Sequence, residues 1–424
     1  MLINFKFKNF LSFADECSFT MLANKDNEHE NDLIHLNNSR LSKVRLIYGA
    51  NASGKSSFIK AIWFVSSFIA NSNLLLNNTE INVVPFKFCD DCYNNPSEFS
   101  ITFIKEGLKY NYSFSCTRYK VINEKLEIYY STKATKIFER TNTNEYKFSR
   151  DKKILNELKE KNSDNKLFLV TSATWNYDKT KPVVDYLLYT ISPIINLDAY
   201  NNINMNKIIS NNELEEFKKF CLKILNDADI SINDFSIKTI KIKDIKDDID
   251  IISNIVRLIT KDDEDSVTGI INNANVYEFS TYHDIICNLE KKRYSLSLAE
   301  ESMGTNQIFK FAPILYYVLK EGKVLFIDEI DRSLHPLLVE KIINIFKNKD
   351  INVNNAQLIA NTHDTNLLNL NILRRDDLWF TERNYETGKS EMYSLSDFSP
   401  RKKENIEKSY LLGRFGAIPF IKEI

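Results

Sequence analysis

The chain has 424 residues, 43% hydrophobic and 27% charged, a balance that supplies two or three domains' worth of core and excludes a chain dominated by disorder. Lys plus Arg number 56 against 57 for Asp plus Glu, which excludes a global basic field; any contact with DNA has to be local. No apolar run approaches the roughly 18 residues of a membrane span, and the start of the chain lacks the apolar core of a signal peptide, so the sequence reads as a soluble, cytoplasmic protein.

Residues 1–10 alternate apolar and polar positions in the manner of an edge strand. The apolar run 44–48 comes next, then Gly49, Ala50, Asn51, Ala52, Ser53, Gly54, Lys55 and Ser56, then a helical stretch over 57–65. That octet fits G-x-x-x-x-G-K-[ST] in a strand–loop–helix context. Its glycines let backbone N–H groups wrap phosphates, Lys55 reaches the outer ones, and Ser56 ligates Mg²⁺; Ser57 beside it completes the ATP-binding set.

Cys89 and Cys92 form a C-x-x-C, but a zinc site needs a second pair, and none of Cys17, Cys116, Cys221 or Cys287 supplies it nearby. Without a secretory signal the six cysteines read as reduced thiols, and residues 89–96 as a strand-end turn. Segments 98–104, 108–114, 125–130 and 135–139 then alternate with short connections, which predicts an antiparallel meander. From 152 to about 226 the pattern turns helical: Ile154, Leu155 and Leu158, then Leu214, Phe217, Phe220, Cys221, Ile224 and Leu225 recur at spacings of three and four. No heptad repeat is sustained, so long coiled-coil arms are not expected. Between 230 and 284 the chain becomes β-rich and strongly charged, reading as a solvated face or mobile loop, with a partner-docking surface as the sharper alternative. These shifts divide the chain into 1–150, 151–284 and 285–424.

In the last part, a strand near 276–280 leads to Ser302 and Gly304, with a helix starting near Thr305. A hydroxyl donor, a glycine that permits close backbone approach and a helix N-terminus suit an anionic phosphate, although a plain helix cap has the same look. The helix behind it, 308–319, carries Pro313, which marks a kink or an early turn. The apolar strand 324–327 then ends on two carboxylates. Asp328 is placed to hold Mg²⁺ through water, and Glu329 to orient and deprotonate an attacking water. Well over half the chain separates Lys55 from Asp328, far more than a compact nucleotide kinase or small GTPase needs. Asp331 follows, then His335, read as a capping or packing residue before Pro336, and finally a strand over 357–361 with His363 just beyond it.

The order of phosphate loop, Ser-x-Gly turn, acidic strand and histidine resembles that of the ABC ATPases, including SMC-like heads. The resemblance implies a dimer in which two heads sandwich ATP, with Ser302 and Gly304 of one copy contacting the γ-phosphate held by Lys55 of the other. Asp331 would lie in the loop crossing that interface, and His363 would be the switch histidine that touches the γ-phosphate. The fold implied is α/β, an ABC-type ATPase head: a mixed sheet around a P-loop core plus the antiparallel meander, with a short helical lobe, a charged insert and no coiled-coil arms. The opening segments 8–13 and 48–56 and the closing segments 377–382, 393–397 and 408–419 are similar to a bacterial AAA, ABC-like ATPase family linked to abortive infection, restriction and anti-phage defence. In the tail, Gly413 and Gly416 read as turns, with Leu411, Leu412, Phe415 and Ile418 packed on the head. One departure stands out. ABC heads carry a glutamine between the phosphate loop and the helical lobe, and here the glutamines are Gln307 and Gln357 only.

These features point first to an ATPase switch, using ATP and Mg²⁺, that assembles as a homodimer or higher homo-oligomer and controls a separate nuclease-like effector encoded nearby. A repair-type ATPase acting on DNA ends is the second reading, disfavoured by the neutral charge. A nuclease–ATPase fusion like the overcoming-lysogenisation-defect enzymes is the third. Few residues follow His363, and they hold no further carboxylate cluster for an in-chain TOPRIM nuclease.

Overall fold

A computed structural model describes residues 1–36, 39–77, 79–194, 197–227, 230–241, 275–332, 334, 336–401 and 404–418. The charged run beyond residue 241 and the expected role of His335 lie outside the described residues. The chain divides into two compact units: Met1–Ile195 with Val318–Arg332 and Val339–Ile424, and Asn196–Tyr317 with Ser333–Leu338.

The first unit is built on two sheets. One has six strands in the order Ile191–Ile194, Val324–Ile327, Gln357–Asn361, Val44–Gly49, Leu378–Arg383 and Ser390–Ser394. The first five run parallel and only the last is antiparallel. Parallel strands covered on both faces read as continuous apolar runs. All residues of 44–49, 324–327 and 357–361 are buried, and the runs are apolar apart from Arg45, Gln357 and Asn361. The second sheet is antiparallel, with the order Glu145–Phe148, Ala134–Thr141, Val121–Tyr129, Leu108–Cys116, Ser97–Lys105, Leu2–Lys8 and Cys17–Thr20. The four-strand meander is therefore present and is extended at both ends.

Leu2–Lys8 departs from expectation. It is an interior strand, paired with Ser97–Lys105 on one side and Cys17–Thr20 on the other. Alternation reports which face of a strand is buried and is silent about whether both of its edges are paired. The helix Lys55–Asn71 packs against both sheets: the Phe58 ring lies 6.0 Å from Phe5 of the antiparallel sheet and 6.3 Å from Phe326 of the parallel one. A second departure is Ile191–Ile194. It lies within the stretch read as helical, among the helices Lys152–Lys159, Phe168–Thr174, Lys181–Asp185, Leu197–Ser210 and Leu214–Asp227. Four residues are too few to show a period, and the partner strand is distant in sequence.

Cys89 and Cys92 are joined as a disulfide across the one-turn helix Asp90–Asn94, with their Cα atoms 5.2 Å apart. The expectation of reduced thiols thus fails for this pair, while Cys17, Cys116, Cys221 and Cys287 are free. In the tail, Phe415 is buried and stacks on Phe380 at 5.9 Å. Leu411 and Leu412 are exposed, contrary to expectation. The short helix Ile406–Leu411 turns Tyr410 inward instead, stacked 5.4 Å from Phe380.

A buried charge cluster ties the phosphate-loop strand to the C-terminal segment. Arg45 is fully buried; its guanidinium bonds Asp377 and lies 3.8 Å from Asp376, while Ser42 donates to Asp377 at 2.6 Å. Removing one partner of such a cluster strands the other charge in low dielectric. Arg45→Ala is expected to cost about 3–5 kcal/mol, read as a lower urea midpoint at unchanged slope; a loss below about 1 kcal/mol would show that the cluster does not stabilise the fold.

The second unit has a three-stranded antiparallel sheet, Asp234–Lys241, Asn275–Cys287 and Glu290–Ser297. Phe235 and Phe279 on this sheet pack against Phe309 at 5.1 and 5.2 Å, and Phe217 of the helix Leu214–Asp227 lies 6.2 Å from Phe235. Phe217, Cys221, Ile224 and Leu225 are buried, as their spacing predicts. Pro313 falls in the interior of the helix Met303–Glu321 rather than in its early turns. At 19 residues this is the longest helix among the described residues, and no helix there is long and apolar enough to cross a membrane.

Candidate nucleotide site

The site forms where the parallel strands end, the edge at which open α/β sheets bind ligands. Register places the strand ends level with one another: Ile327 faces Ala360, Asn361 faces Ile47, and Gly49 faces Thr381. The phosphate loop leaves the strand at Gly49 and enters the helix at Lys55. Packing requires both flanking glycines. A Cβ on Gly49 would collide with the Thr381 carbonyl, and one on Gly54, at φ 123, would come within 2.9 Å of Ser390 and 3.1 Å of the Phe13 ring. Ser53 and Thr381 pair their hydroxyls at 2.6 Å, which pins the loop to the neighbouring strand.

Lys55 is buried and donates to the carbonyls of Gly49 at 2.7 Å and Ala50 at 3.0 Å. Burial pushes its ammonium below the ordinary lysine range, and the carboxylates of Asp328, Glu329 and Asp331 pull the other way. Ser56 donates to Asp328 Oδ1 at 3.1 Å, and the Asn361 amide donates to the same oxygen. Glu329 has φ 55, a left-handed backbone that costs a non-glycine residue roughly 1–2 kcal/mol and that marks strain at functional positions. Its side chain is half exposed, 3.9 Å from the Arg332 guanidinium. Asp331 Oδ2 accepts the backbone N–H of His363 at 3.1 Å, while its Oδ1 is buried with no partner among the described residues. The His363 ring stands exposed just beyond the buried Thr362.

Lys55, Ser56, Asp328, Glu329, Asp331 and His363 thus come together, although well over half the chain separates the first from the last four. Asn361 is the residue that sequence reasoning missed. Its position at the end of an apolar strand was visible, but its reach to Asp328 depends on the parallel pairing of two strands far apart in sequence. Gln357 has no part in the site: its side chain bonds both backbone groups of Leu2, at 2.7 and 3.2 Å, and the Ser42 carbonyl. For Mg²⁺ the donor set fits. Ser56 and Asp328 are hard oxygen ligands side by side, and no group of three or more His, Cys, Asp or Glu is arranged to hold a metal ion by itself among the described residues. That suits a cation which takes one or two protein oxygens, phosphate oxygens and water rather than an all-protein cage.

Ser302 and Gly304 belong to the second unit. The Ser302 hydroxyl accepts the Thr305 N–H at 3.1 Å, so it caps the helix. The turn is braced from behind: Asn306 donates to the Leu298 carbonyl at 2.7 Å, and Glu301 takes the Thr281 hydroxyl at 2.6 Å and lies 2.8 Å from His283 Nε2. A Cβ on Gly304 would meet only Ser302 Oγ, at an ordinary 3.8 Å.

A family described as "AAA domain, putative AbiEii toxin, Type IV TA system" matches residues 46–369, from the phosphate-loop strand through the acidic strand and His363. The chain belongs to this family. Its members are AAA domains described as putative AbiEii toxins of type IV toxin–antitoxin systems. No curated protein matches it. Among solved structures, the Smc head bound to the C-winged helix domain of ScpA shares 13% identity over 93% of this chain and 97% of that one, with a TM-score of 0.39. The Smc head domain with an extended coiled coil, bound to the C-terminal domain of ScpA from Pyrococcus furiosus, shares 15% over 94% and 97%, with a TM-score of 0.35.

Proposed function

We propose that this protein is an ATP-hydrolysing switch in which ATP closes a dimer or higher homo-oligomer and thereby holds or licenses a separate effector, a nuclease-like protein, in a cytoplasmic anti-phage response. The observation that carries the chemistry is the convergence of Ser56 and Asn361 on one oxygen of Asp328, at the end of the sheet that also presents Lys55 and Glu329. Backbone N–H groups of residues 50–56 cradle the phosphates, and Lys55 moves from its own loop carbonyls to the outer phosphate oxygens. Ser56 and Asp328 would hold Mg²⁺, which would supply positive charge to offset that of the phosphates. Asn361 fixes the Asp328 carboxylate by its hydrogen bond. Glu329 orients a water and takes its proton, and His363, whose backbone is tethered by Asp331, faces the γ-phosphate.

The second copy supplies Ser302 and Gly304. Gly304 supports this assignment because nothing among the described residues requires a glycine there, whereas a helical glycine costs about 1 kcal/mol against alanine; a phosphate approaching the backbone needs that space. Met303 beside it is exposed, as a residue waiting for a partner surface would be. Family membership supports the defence role and a neighbouring effector.

A variant that keeps the cap while opposing the phosphate tests the arrangement. Ser302→Asp preserves a good N-cap and sets a carboxylate against the γ-phosphate, so turnover should fall by about 100-fold, with ATP affinity of the monomer unchanged; Ser302→Arg should act likewise through bulk. Equal loss of monomer affinity in both variants would count against a site completed by a second copy.

A further inference from the structure

We infer that the C-terminal hairpin builds the nucleoside half of the site: a cavity between the phosphate loop and Glu382, Arg383 and Tyr385 takes the ribose and base of the bound nucleotide. This rests on the nucleotide reading of the phosphate loop and extends it to residues that no motif marks. The direction follows from strand order. The acidic strand and the strand before His363 lie on one flank of Val44–Gly49, and Leu378–Arg383 lies on the other. Glu329 and His363 define where the γ-phosphate must sit, so the nucleoside end points toward the opposite flank.

A cavity of about 290 Å³ opens at that place, with Ala50–Ser53 on one wall and the hairpin and Ala417 on the other. This is close to the lower end of small-molecule clefts, about 300 Å³. Tyr385 presents a ring that is 79% exposed, an open face for a base. Arg383 is held in the cavity lining: Nε donates to the Gly388 carbonyl at 3.1 Å and the guanidinium lies 5.4 Å from the centre of the Phe88 ring. The Glu382 carboxylate is exposed at the cavity and free to accept from a bound molecule. The Tyr393 hydroxyl stands 3.2 Å from Glu382 Oε2 but 2.8 Å from the Phe415 carbonyl, and its single proton can serve only one of them. Ribose hydroxyls are donors that suit this carboxylate in place of water. Gly416, at φ 65, brings its backbone so close that a Cβ there would lie 2.6 Å from Glu382 Oε2, which fixes the carboxylate against the cavity wall.

The test is equilibrium binding by the full chain, in the presence of Mg²⁺, of ATP, 2′,3′-dideoxy-ATP and inorganic tripolyphosphate, which has the phosphates without the nucleoside. Tyr385→Ala should weaken ATP about tenfold, the low end of base–aromatic stacking, and leave tripolyphosphate unchanged; Tyr385→Phe should bind ATP as the parent does. Glu382→Ala should erase the preference for ATP over its dideoxy analogue. Lys55→Ala should lose ATP and tripolyphosphate together. If Tyr385→Ala and Glu382→Ala bind ATP like the parent while Lys55→Ala does not, the nucleoside assignment is wrong and the phosphate site stands. Equal weakening of ATP and tripolyphosphate by Tyr385→Ala also overturns it. A parent protein that binds neither compound overturns both readings.

Discussion

Lys55→Ala is expected to abolish measurable ATP binding. The ammonium is the one cation that the phosphate loop itself contributes, and it is buried where water cannot replace it. Charge-assisted hydrogen bonds contribute about 1.5–3 kcal/mol each, so losing two to the outer phosphates removes a factor of about 100 or more from affinity. The carboxylates of Asp328, Glu329 and Asp331 supply negative potential at the lysine. Without Lys55 that potential repels the nucleotide, which adds to the loss. The variant also strands the carbonyls of Gly49 and Ala50, which now accept from the lysine. Some stability is therefore lost too, about 1–3 kcal/mol if neither carbonyl reaches water. Thermal unfolding of the free variant separates the two effects: a folded protein with no ATP binding is the expected result. ATP affinity within a few-fold of the parent would remove the lysine, and with it the loop, from the site.

Glu329→Gln is expected to bind ATP at parental affinity and to hydrolyse it slower by about 10²–10⁴, the span of general-base catalysis. The substitution keeps shape and reach and removes only the ability to accept a proton. Its structural cost is small, since the ion pair with Arg332 is 3.9 Å long and solvent-exposed. The left-handed backbone at 329 is kept by the flanking structure: Ile330 donates to the Asn361 carbonyl at 3.0 Å, and Arg332 to the Glu329 carbonyl at 3.0 Å. With hydrolysis blocked and binding intact, the closed assembly should accumulate in ATP and be visible as a larger species by light scattering. Turnover at the parental rate would exclude Glu329 as the base. Slow turnover with no change in assembly would keep the base and remove the switch.

Much of the candidate site was legible because its signals are local. Gly49 to Ser56 is a continuous octet whose glycines are required by the chain's own packing, and Asp328 and Glu329 end a strand that is apolar without interruption. The meander was legible through period-two alternation, and its strand pairs are joined by short connections. Leu2–Lys8 was misplaced at an edge because its second neighbour, Ser97–Lys105, lies far along the chain. Ile191–Ile194 was hidden for a similar reason, since its only signature is its pairing with Val324–Ile327. The Cys89–Cys92 bond depends on one turn of helix bringing two Cα atoms to 5.2 Å, which spacing allows without requiring.

By itself, then, the sequence determined the make-up of the candidate phosphate end: which residues form the G-x-x-x-x-G-K-[ST] octet, which carboxylates follow, and in what order along the chain. Each of those requirements is met by a short contiguous segment, and a segment's residue types are visible before it folds. Tertiary structure decided the rest, namely that Asn361 steadies Asp328, that Asp331 tethers His363, and that Leu378–Arg383 flanks the phosphate loop on the side away from the carboxylates. These relations are set by parallel strand pairing, in which the partners are joined by long crossovers and the register follows from burial on both faces rather than from any local pattern.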